Sequence, residues 1–225
     1  MTVVEVFRDG RAAEFHGLDW PVISEPHIWH FLPRRSALVL GSTQDESLID
    51  LDICKERNID VVRRRSGGGV VLLQPGNTVW IDVVLPSNHR RWQVDIGKSA
   101  QWVGEVFAAS LSDLGCGPFV VHSGALQRSV WSNLVCFAGR GSGEVFDQQG
   151  SKVVGISQRR TRQWARFQCA VSINWDPVTL IDVLRSPRPS VSEIAHVGSS
   201  LKVSGEQVST AVIEDLIIAM DDGPR

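Results

Sequence analysis

The sequence predicts an α+β fold, a mixed β-sheet core with flanking helices. Three observations lead to this prediction. Strand patterns come in groups with helices inserted between them, instead of alternating strictly with helices. TVWIDVVLP (78–86) is rich in β-branched residues and ends at proline, as a strand often does. RFQCAVSIN (166–174) alternates apolar and polar residues, which is typical of a half-buried strand in an antiparallel or mixed sheet.

The elements before residue 78 surround a group of glycines. SALVLG (36–41) has the composition of a buried strand, and residues 45–57 predict a helix that carries four apolar residues, Leu48, Ile49, Leu51 and Ile53. DVVRR (60–64) and VVLL (70–73) predict short strands on either side of three consecutive glycines.

The strongest helix pattern begins at Asp95, a residue that caps helix N-termini well. Spacings of three and four place six apolar side chains on one face, namely Ile96, Ala100, Val103, Phe107, Leu111 and Leu114. Gly115 and Gly117 end the pattern. Beyond the strand at 166–174 we expect a short helix after Pro177 and a final amphipathic helix near residues 210–220.

Composition excludes several classes of protein. The 225 residues carry a formal net charge of −2, so we expect no affinity of the whole chain for nucleic acid or for an anionic membrane. No run approaches the ~20 apolar residues of a membrane span, and the N-terminus shows no secretory signal. The four cysteines are scattered without a Cys-x-x-Cys pair, which argues against a zinc site or a disulfide framework. We therefore expect a cytoplasmic protein without a metal site.

The first motif is RRRSGGGVVLLQPGN (63–77), in which three arginines run into three glycines. It is not a phosphate loop, because no Gly-Lys-Ser/Thr follows. It is not a dinucleotide fingerprint, because the glycine spacing is wrong and no helix pattern follows. Glycines in such a run leave the backbone bare, so the motif predicts that something approaches the backbone closely.

The second motif lies at 132–162, SNLVCFAGRGSGEVFDQQGSKVVGISQRRTR. Lys152 opens an apolar strand, where its ammonium can hold a carboxylate, a phosphate or an oxyanion, although most lysines are simply exposed. Cys136 is a candidate nucleophile for a thioester, the alternative being a small buried core residue. GRGSGE is a weak nucleotide-loop signal and a surface loop is the alternative. His122 has no partner at a recognisable spacing, so it predicts no catalytic triad.

Taken together, the two motifs resemble those of the lipoate–protein ligase and octanoyltransferase family, relatives of the biotin–protein ligases. Family members carry Arg-Arg-x-Ser/Thr-Gly-Gly-Gly followed by a turn ending in Gly-Asn, and further on a Lys-x-x-Gly-Ser-Ala-Gln-x-Arg strand. Between these, the single-domain octanoyltransferases of the amidotransferase kind show Cys-Phe and then a glutamate. CFAGRGSGEV (136–145) and KVVGISQRR (152–160) have this layout. The resemblance covers about residues 30–185. It implies a class II synthetase-like mixed-sheet fold, with one catalytic domain over 1–225 and a C-terminal helical extension at about 186–225.

The resemblance also implies a set of functional residues. The glycine loop is expected to line the tunnel for an octanoyl or lipoyl chain, Lys152 to hold the acyl carbonyl or acyl-adenylate, and Cys136 to act as nucleophile. The implied acyl-binding residues are Arg64, Ser66, Gly67, Gly68, Gly69, Asn77, Gly155 and Gln158. The sequence departs from the family at Leu73, where a histidine is usual, and at 155–158, which is Gly-Ile-Ser-Gln. The usual His-Gly of the following strand is missing from 165–174.

Three functions fit this resemblance. An octanoyltransferase would move the acyl group from acyl carrier protein to Cys136 and then to a lysine of a lipoyl domain, in a 2-oxoacid dehydrogenase or glycine cleavage protein. A lipoate–protein ligase would instead use ATP and Mg²⁺ to form an acyl-adenylate, without a thiol. A non-catalytic relative would bind an acyl ligand or a partner. The position of Cys136 favours the transferase, for which no permanently bound cofactor is expected.

Overall fold

Two β-sheets pack against each other in this computed structural model, which describes residues 2–18 and 23–221. Within these residues the larger sheet has seven strands, in the order β1-β2-β6-β10-β9-β8-β7, and the smaller has three, in the order β4-β3-β5. The strands are β1 (Val4–Gly10), β2 (His27–Pro33), β3 (Ala37–Leu40), β4 (Asp60–Arg63), β5 (Val71–Leu73), β6 (Thr78–Pro86), β7 (Val120–Val121), β8 (Val145–Phe146), β9 (Lys152–Arg160) and β10 (Trp164–Ser172). The helices are α1 (Ala12–Gly17), α2 (Leu51–Glu56), α3 (Gln101–Asp113), α4 (Pro177–Asp182), α5 (Val191–Ile194) and α6 (Gly205–Asp221).

Both sheets are mixed, as the sequence predicts. β1 runs parallel to β2, whereas β6, β10 and β9 pair antiparallel. The alternation of β10 is confirmed, because Phe167, Cys169 and Val171 all lie in the largest core cluster. The side chains of α3 and α6 cover this face of the sheet, with Phe107 and Leu216 fully buried there. Helices thus flank the sheet, and the predicted fold class is confirmed.

The opposite face of the larger sheet meets the smaller sheet. Trp80 of β6 and Phe31 of β2 pack with Val39 and Leu73 of the smaller sheet and with Phe15 of α1. Under this layer, the buried carboxylate of Asp82 accepts hydrogen bonds from Trp80 Nε1 at 2.7 Å and Arg166 Nε at 2.6 Å. The space between the two sheets contains the cavity described below.

Two predicted helices differ in extent. The helix predicted over 45–57 is a short 3-10 helix at Glu46–Leu48 followed by α2, because the side chain of Asp50 caps α2 through the amide of Ile53. The helix predicted from Asp95 begins at Gln101. The Asp95 carboxylate accepts the amide of Gly97, which forms a local turn that competes with helix initiation. Ile96 is therefore 63% exposed instead of lying on the buried face.

The terminal elements complete the core. The N-terminal elements β1, α1 and β2 carried no sequence prediction, and α1 supplies Phe15 to the inter-sheet layer. Val208, Val212 and Leu216 of α6 belong to the largest core cluster, so the segment predicted as an extension contributes to the packing of the sheet. Within residues 2–18 and 23–221, the helices are too short or too polar to cross a membrane.

Candidate active site

Cys136 begins a 3-10 helix (Cys136–Ala138) that packs directly beside the glycine loop. The amide of Val70 donates to the carbonyl of Leu134 at 2.7 Å, and the amide of Cys136 donates to the carbonyl of Val70 at 3.0 Å. A Cβ on Gly69 would lie 2.7 Å from the Cys136 nitrogen, so this contact requires glycine. The two sequence motifs therefore meet through their backbones, and the thiol of Cys136 is partly exposed.

Lys152 is buried, contrary to the alternative of an exposed strand-end lysine. Its side chain is 1% exposed, and its ammonium lies 2.7 Å from the carboxylate of Glu144. The ammonium also donates to the main-chain carbonyl of Cys136 at 2.9 Å. Glu144 accepts the amide of Gly141 at 2.6 Å, which fixes the carboxylate inside the Gly-rich segment. The pair Lys152–Glu144 therefore anchors the backbone that carries the thiol.

Arg64 holds the glycine loop from inside. Its guanidinium donates to the carbonyls of Gly67 at 2.8 Å and Gly69 at 2.7 Å, and to that of Val39 at 3.2 Å. Arg64 is 4% exposed, and one terminal nitrogen lies 4.0 Å from the sulfur of Cys136. The same cation thus shapes the loop and places a positive charge beside the sulfur of Cys136.

Gly68 has a backbone conformation that other residues rarely adopt. Its φ is +101°, and a Cβ there would lie 2.9 Å from the Arg64 guanidinium and 3.6 Å from the Cys136 sulfur. A side chain at this position would be strained and would also displace the cation from the thiol.

Gly68→Ala is therefore expected to lower the free energy of unfolding by about 1–3 kcal/mol and to reduce the reactivity of Cys136. Chemical denaturation and the rate of iodoacetamide labelling at Cys136 measure the two effects. Gly67→Ala is the matched control, because no atom lies within 4 Å of a Cβ built there. Equal unfolding free energies and equal labelling rates in the two variants would show that the backbone at position 68 does not require glycine.

Two cavities meet at Cys136. A small, largely apolar cavity of about 40 Å³ lies between the sheets, and a larger cleft of about 650 Å³ lies outside the glycine loop. Both are lined by Cys136, Ile156 and Ser157. The thiol therefore lies where an apolar space between the sheets meets a more polar cleft.

The floor of the apolar cavity crosses three strands. Gly155 of β9 pairs with Ala170 of β10, which pairs with Trp80 of β6, and all three residues line the cavity. The 3-10 helix of Cys136 lies at the β9 end, where Phe137 would contact a Cβ on Gly155 at 3.2 Å. Two strand spacings separate this end from Trp80, a span of about 10 Å.

A chain of polar side chains runs along the same floor. Ser66 Oγ lies 3.0 Å from Ser157 Oγ, from which it can accept, and it donates to the amide oxygen of Gln168 at 3.3 Å. Gln168 Nε2 lies 3.2 Å from His16 Nδ1, and the imidazole of His16 stacks on Trp80 with ring centroids 4.6 Å apart. Burial, with the positive charges of Arg166 and Arg64, lowers the pKa of His16 to about 3. His16 is therefore neutral at physiological pH.

This pKa predicts acid sensitivity. In the unfolded chain His16 binds a proton near its ordinary pKa of 6.5, whereas in the folded protein it does so only near 3. Stability is therefore lost as the pH falls from about 6.5 towards 3, by up to about 1.4 kcal/mol per pH unit. His16→Phe is expected to flatten this part of the unfolding free-energy profile, measured by urea titrations between about pH 4 and pH 6. His196→Gln, at an exposed position, serves as control and leaves the slope unchanged.

The structure gathers most of the residues that the sequence predicts. Gly67, Gly68, Gly69, Ser66, Lys152 and Gln158 line the cleft, Arg64 and Gly155 line the apolar cavity, and Cys136 lines both. The glycine loop therefore borders the outer cleft, whereas the expectation was that it lines the acyl tunnel. Gln158 accepts a hydrogen bond from Ser99 at 2.8 Å. Leu73, at the position where a histidine is usual, contributes to the apolar wall.

Asn77 is not brought to this site. Its side chain donates to Gln74 at 3.4 Å, and its carbonyl accepts the amide of Ile173 at 2.8 Å. It belongs to the turn that joins β5 to β6, and the described residues that line the two cavities do not include it.

Sequence reasoning missed His16, Gln168 and Trp80, and it left Glu144 out of the candidate set. A buried lysine requires a counter-charge, which is the signal that could have identified Glu144. His16 carried no such signal, because it stands alone in a short helix.

The fold and the two converging motifs define a protein of the lipoate–protein ligase and octanoyltransferase class. Residues 21–218 match the model of the lipoyl protein ligase A/B catalytic domain, and the chain belongs to this family. It is similar to octanoyltransferase LipM of Clostridioides difficile, with 26% identity over 185 residues, 81% of this chain and 66% of that protein. It is also similar to octanoyltransferase LipM of Moorella thermoacetica, with 29% identity over 182 residues, 78% of this chain and 65% of that protein. The matches thus span just under two thirds of the length of these relatives.

Solved structures share the fold. One is the bipartite lipoate protein ligase of Thermoplasma acidophilum, studied with its E2 lipoyl domain, with a TM-score of 0.73 and 17% identity over 100% of this chain and 87% of that chain. Another is a lipoate-protein ligase A bound with ATP, with a TM-score of 0.73 and 18% identity over 100% of this chain and 89% of that chain.

Proposed function

We propose that this protein transfers an octanoyl or lipoyl group to a lysine of a lipoyl domain through a thioester on Cys136. The observation that carries this proposal is the position of Cys136 at the junction of the apolar cavity and the open cleft. An acyl chain in the cavity would present its carbonyl carbon at the sulfur. The cleft leaves room for the carrier that delivers the acyl group and for the lysine that accepts it.

The transfer takes two balanced steps. The sulfur of Cys136 attacks the thioester carbonyl of an acyl carrier protein, a new carbon–sulfur bond forms, and the carrier thiol leaves with the proton. The neutral amine of the acceptor lysine then attacks the Cys136 thioester, an amide forms, and the cysteine thiol is restored. No ATP enters either step.

In the proposed mechanism, two cationic side chains stabilise the negative charges that develop during transfer. The Arg64 guanidinium, 4.0 Å from the sulfur, stabilises the negative charge that develops on the sulfur when it leaves the thioester in the second step. The Lys152 ammonium has three donors, of which one binds Glu144 and one the carbonyl of Cys136. The third is left to stabilise the oxyanion that develops on the acyl carbonyl.

The proposal also names the protein that accepts the acyl group and the cellular compartment of the reaction. The lipoate protein ligase of Thermoplasma acidophilum, which shares this fold, was analysed with its E2 lipoyl domain, and this supports a lipoyl domain as acceptor. The four cysteines are free thiols, which suits the reducing cytoplasm.

A donor comparison tests the proposal. Apo lipoyl domain is incubated with the protein and either octanoyl-carrier protein or lipoate with ATP and Mg²⁺, and intact mass reports acylation of both proteins. We expect transfer from carrier protein and an acyl adduct that maps to Cys136. Burial raises the pKa of the Cys54 and Cys169 thiols, so these compete poorly for the acyl group. Transfer from lipoate and ATP alone, without an adduct, would identify a ligase, and no transfer from either donor would identify a binding protein.

A further inference from the structure

His16 brings a polar group into the apolar cavity. The residue is 7% exposed and lines the cavity, and its Nε2 atom is buried without a hydrogen-bond partner among the described residues. A buried donor or acceptor without a partner is costly in a folded protein, so such an atom calls for an explanation.

The tautomer of His16 is fixed by its neighbours. The carboxylate of Asp82 accepts a hydrogen bond from the Gln168 side chain, which must therefore present its amide nitrogen on that side. The same nitrogen lies 3.2 Å from His16 Nδ1, so Nδ1 accepts and the proton of the neutral ring is on Nε2. The Ser66 hydroxyl, at 3.3 Å, donates to the amide oxygen and agrees with this orientation. The unpartnered atom is thus an N–H donor.

This donor lies on the β6 side of the cavity, whereas the 3-10 helix of Cys136 packs on the β9 side. His16 stacks on Trp80 of β6, Phe137 faces Gly155 of β9, and β10 lies between these two strands. An acyl chain whose carbonyl is at Cys136 would bring its distal carbon atoms to the imidazole. Val39, Leu73 and Trp80 pack together there, and their side chains supply no acceptor for the ring N–H.

We propose that His16 selects acyl chains that carry a hydrogen-bond acceptor, oxygen or sulfur, near their distal end. This inference rests on the proposed function in one respect, that the cavity holds the acyl chain. The dithiolane sulfurs of a lipoyl group qualify as acceptors, whereas the methyl end of an octanoyl group does not. His16 is then a specificity residue that touches the substrate far from the reacting carbonyl.

The test compares two ligands that differ by one oxygen atom, octanoate and ω-hydroxyoctanoate. Their dissociation constants are measured by calorimetry on the wild-type protein and on His16→Phe, which keeps an aromatic ring on Trp80. In His16→Phe the ω-hydroxyl group loses its buried hydrogen-bond partner. The affinity for ω-hydroxyoctanoate relative to octanoate is therefore expected to fall by roughly tenfold. Competition of the two pantetheine thioesters for Cys136, read as the ratio of adduct masses, is expected to shift in the same direction.

The test compares the ratio of the two dissociation constants between the variant and the wild type. A general distortion of the cavity weakens the binding of both ligands alike and leaves this ratio unchanged. If His16→Phe fails to fold, His16→Leu is measured in its place. An unchanged ratio in the folded variant overturns the role of His16 while leaving the proposed function intact. A shifted binding ratio without any acyl adduct on Cys136 supports the role of His16 and rejects the thioester mechanism. Binding of neither acid, together with no adduct on Cys136 from either thioester, rejects both.

Discussion

Cys136→Ser is expected to lower the rate of transfer from octanoyl-carrier protein by roughly three orders of magnitude or more. A serine hydroxyl is a weak nucleophile without a general base, and loss of a nucleophile removes the covalent route altogether. Steady-state transfer to apo lipoyl domain measures the loss, and intact mass shows whether the acyl adduct disappears with it. The fold should be unaffected, because sulfur and oxygen differ little in size and the side chain is partly exposed.

Cys116→Ser is the matched control. Cys116 is also a partly exposed free thiol, but it lies at the end of α3, where its sulfur contacts the carbonyl of Leu114. Its replacement should leave transfer within about twofold of the wild type, since surface substitutions have small effects. A Cys136→Ser protein that still uses octanoyl-carrier protein at the wild-type rate would exclude the thioester.

Lys152→Met is expected to have the second-largest effect, on both activity and stability. Loss of a donor to the oxyanion should cost about 3–4 kcal/mol of transition-state stabilisation. The carboxylate of Glu144, 5% exposed, is left without its partner, which should lower the free energy of unfolding by about 3–5 kcal/mol. Kinetics of transfer and urea denaturation measure the two losses separately.

Lys152→Met combined with Glu144→Gln separates the two roles. Removal of both charges leaves no unpaired ion, and the glutamine oxygen can still accept the amide of Gly141. We expect the double variant to recover most of the stability and none of the activity. Recovery of transfer together with stability would show that the pair Lys152–Glu144 serves only the fold.

The strands were predictable because their signals are local. The β-branched run of β6 and the alternation of β10 both specify strands, and the two pair in register from Trp164↔Pro86 to Ser172↔Thr78. The start of α3 was misplaced because Asp95 can either cap a helix or close a turn, and a sequence does not distinguish the two. Whether such a residue caps a helix or closes a turn depends on packing against residues that are distant in the sequence.

Residues of the site could be predicted only where they belong to motifs whose order along the chain matches the family. Cys136 and the glycine loop could be placed together by resemblance, and their backbone contacts agree with it. His16 could not be assigned to the site from the sequence, because its partner Gln168 is 152 residues away and neither residue belongs to a motif. Asn77 shows the opposite case, in which a residue within a motif belongs to a turn remote from the cavities.

The walls of the apolar cavity come from distant parts of the chain, with His16, Val39, Cys136 and Gln168 brought together between the two sheets. Such long loops close late in folding, so a partly folded chain offers no acyl-binding surface. If the cavity holds the acyl chain as proposed, an acyl ligand binds the native state alone and raises its stability by about 2.7 kcal/mol when present at 100 times its Kd. Under that proposal, protein without an acyl ligand is expected to be cleaved sooner by a protease than protein saturated with one.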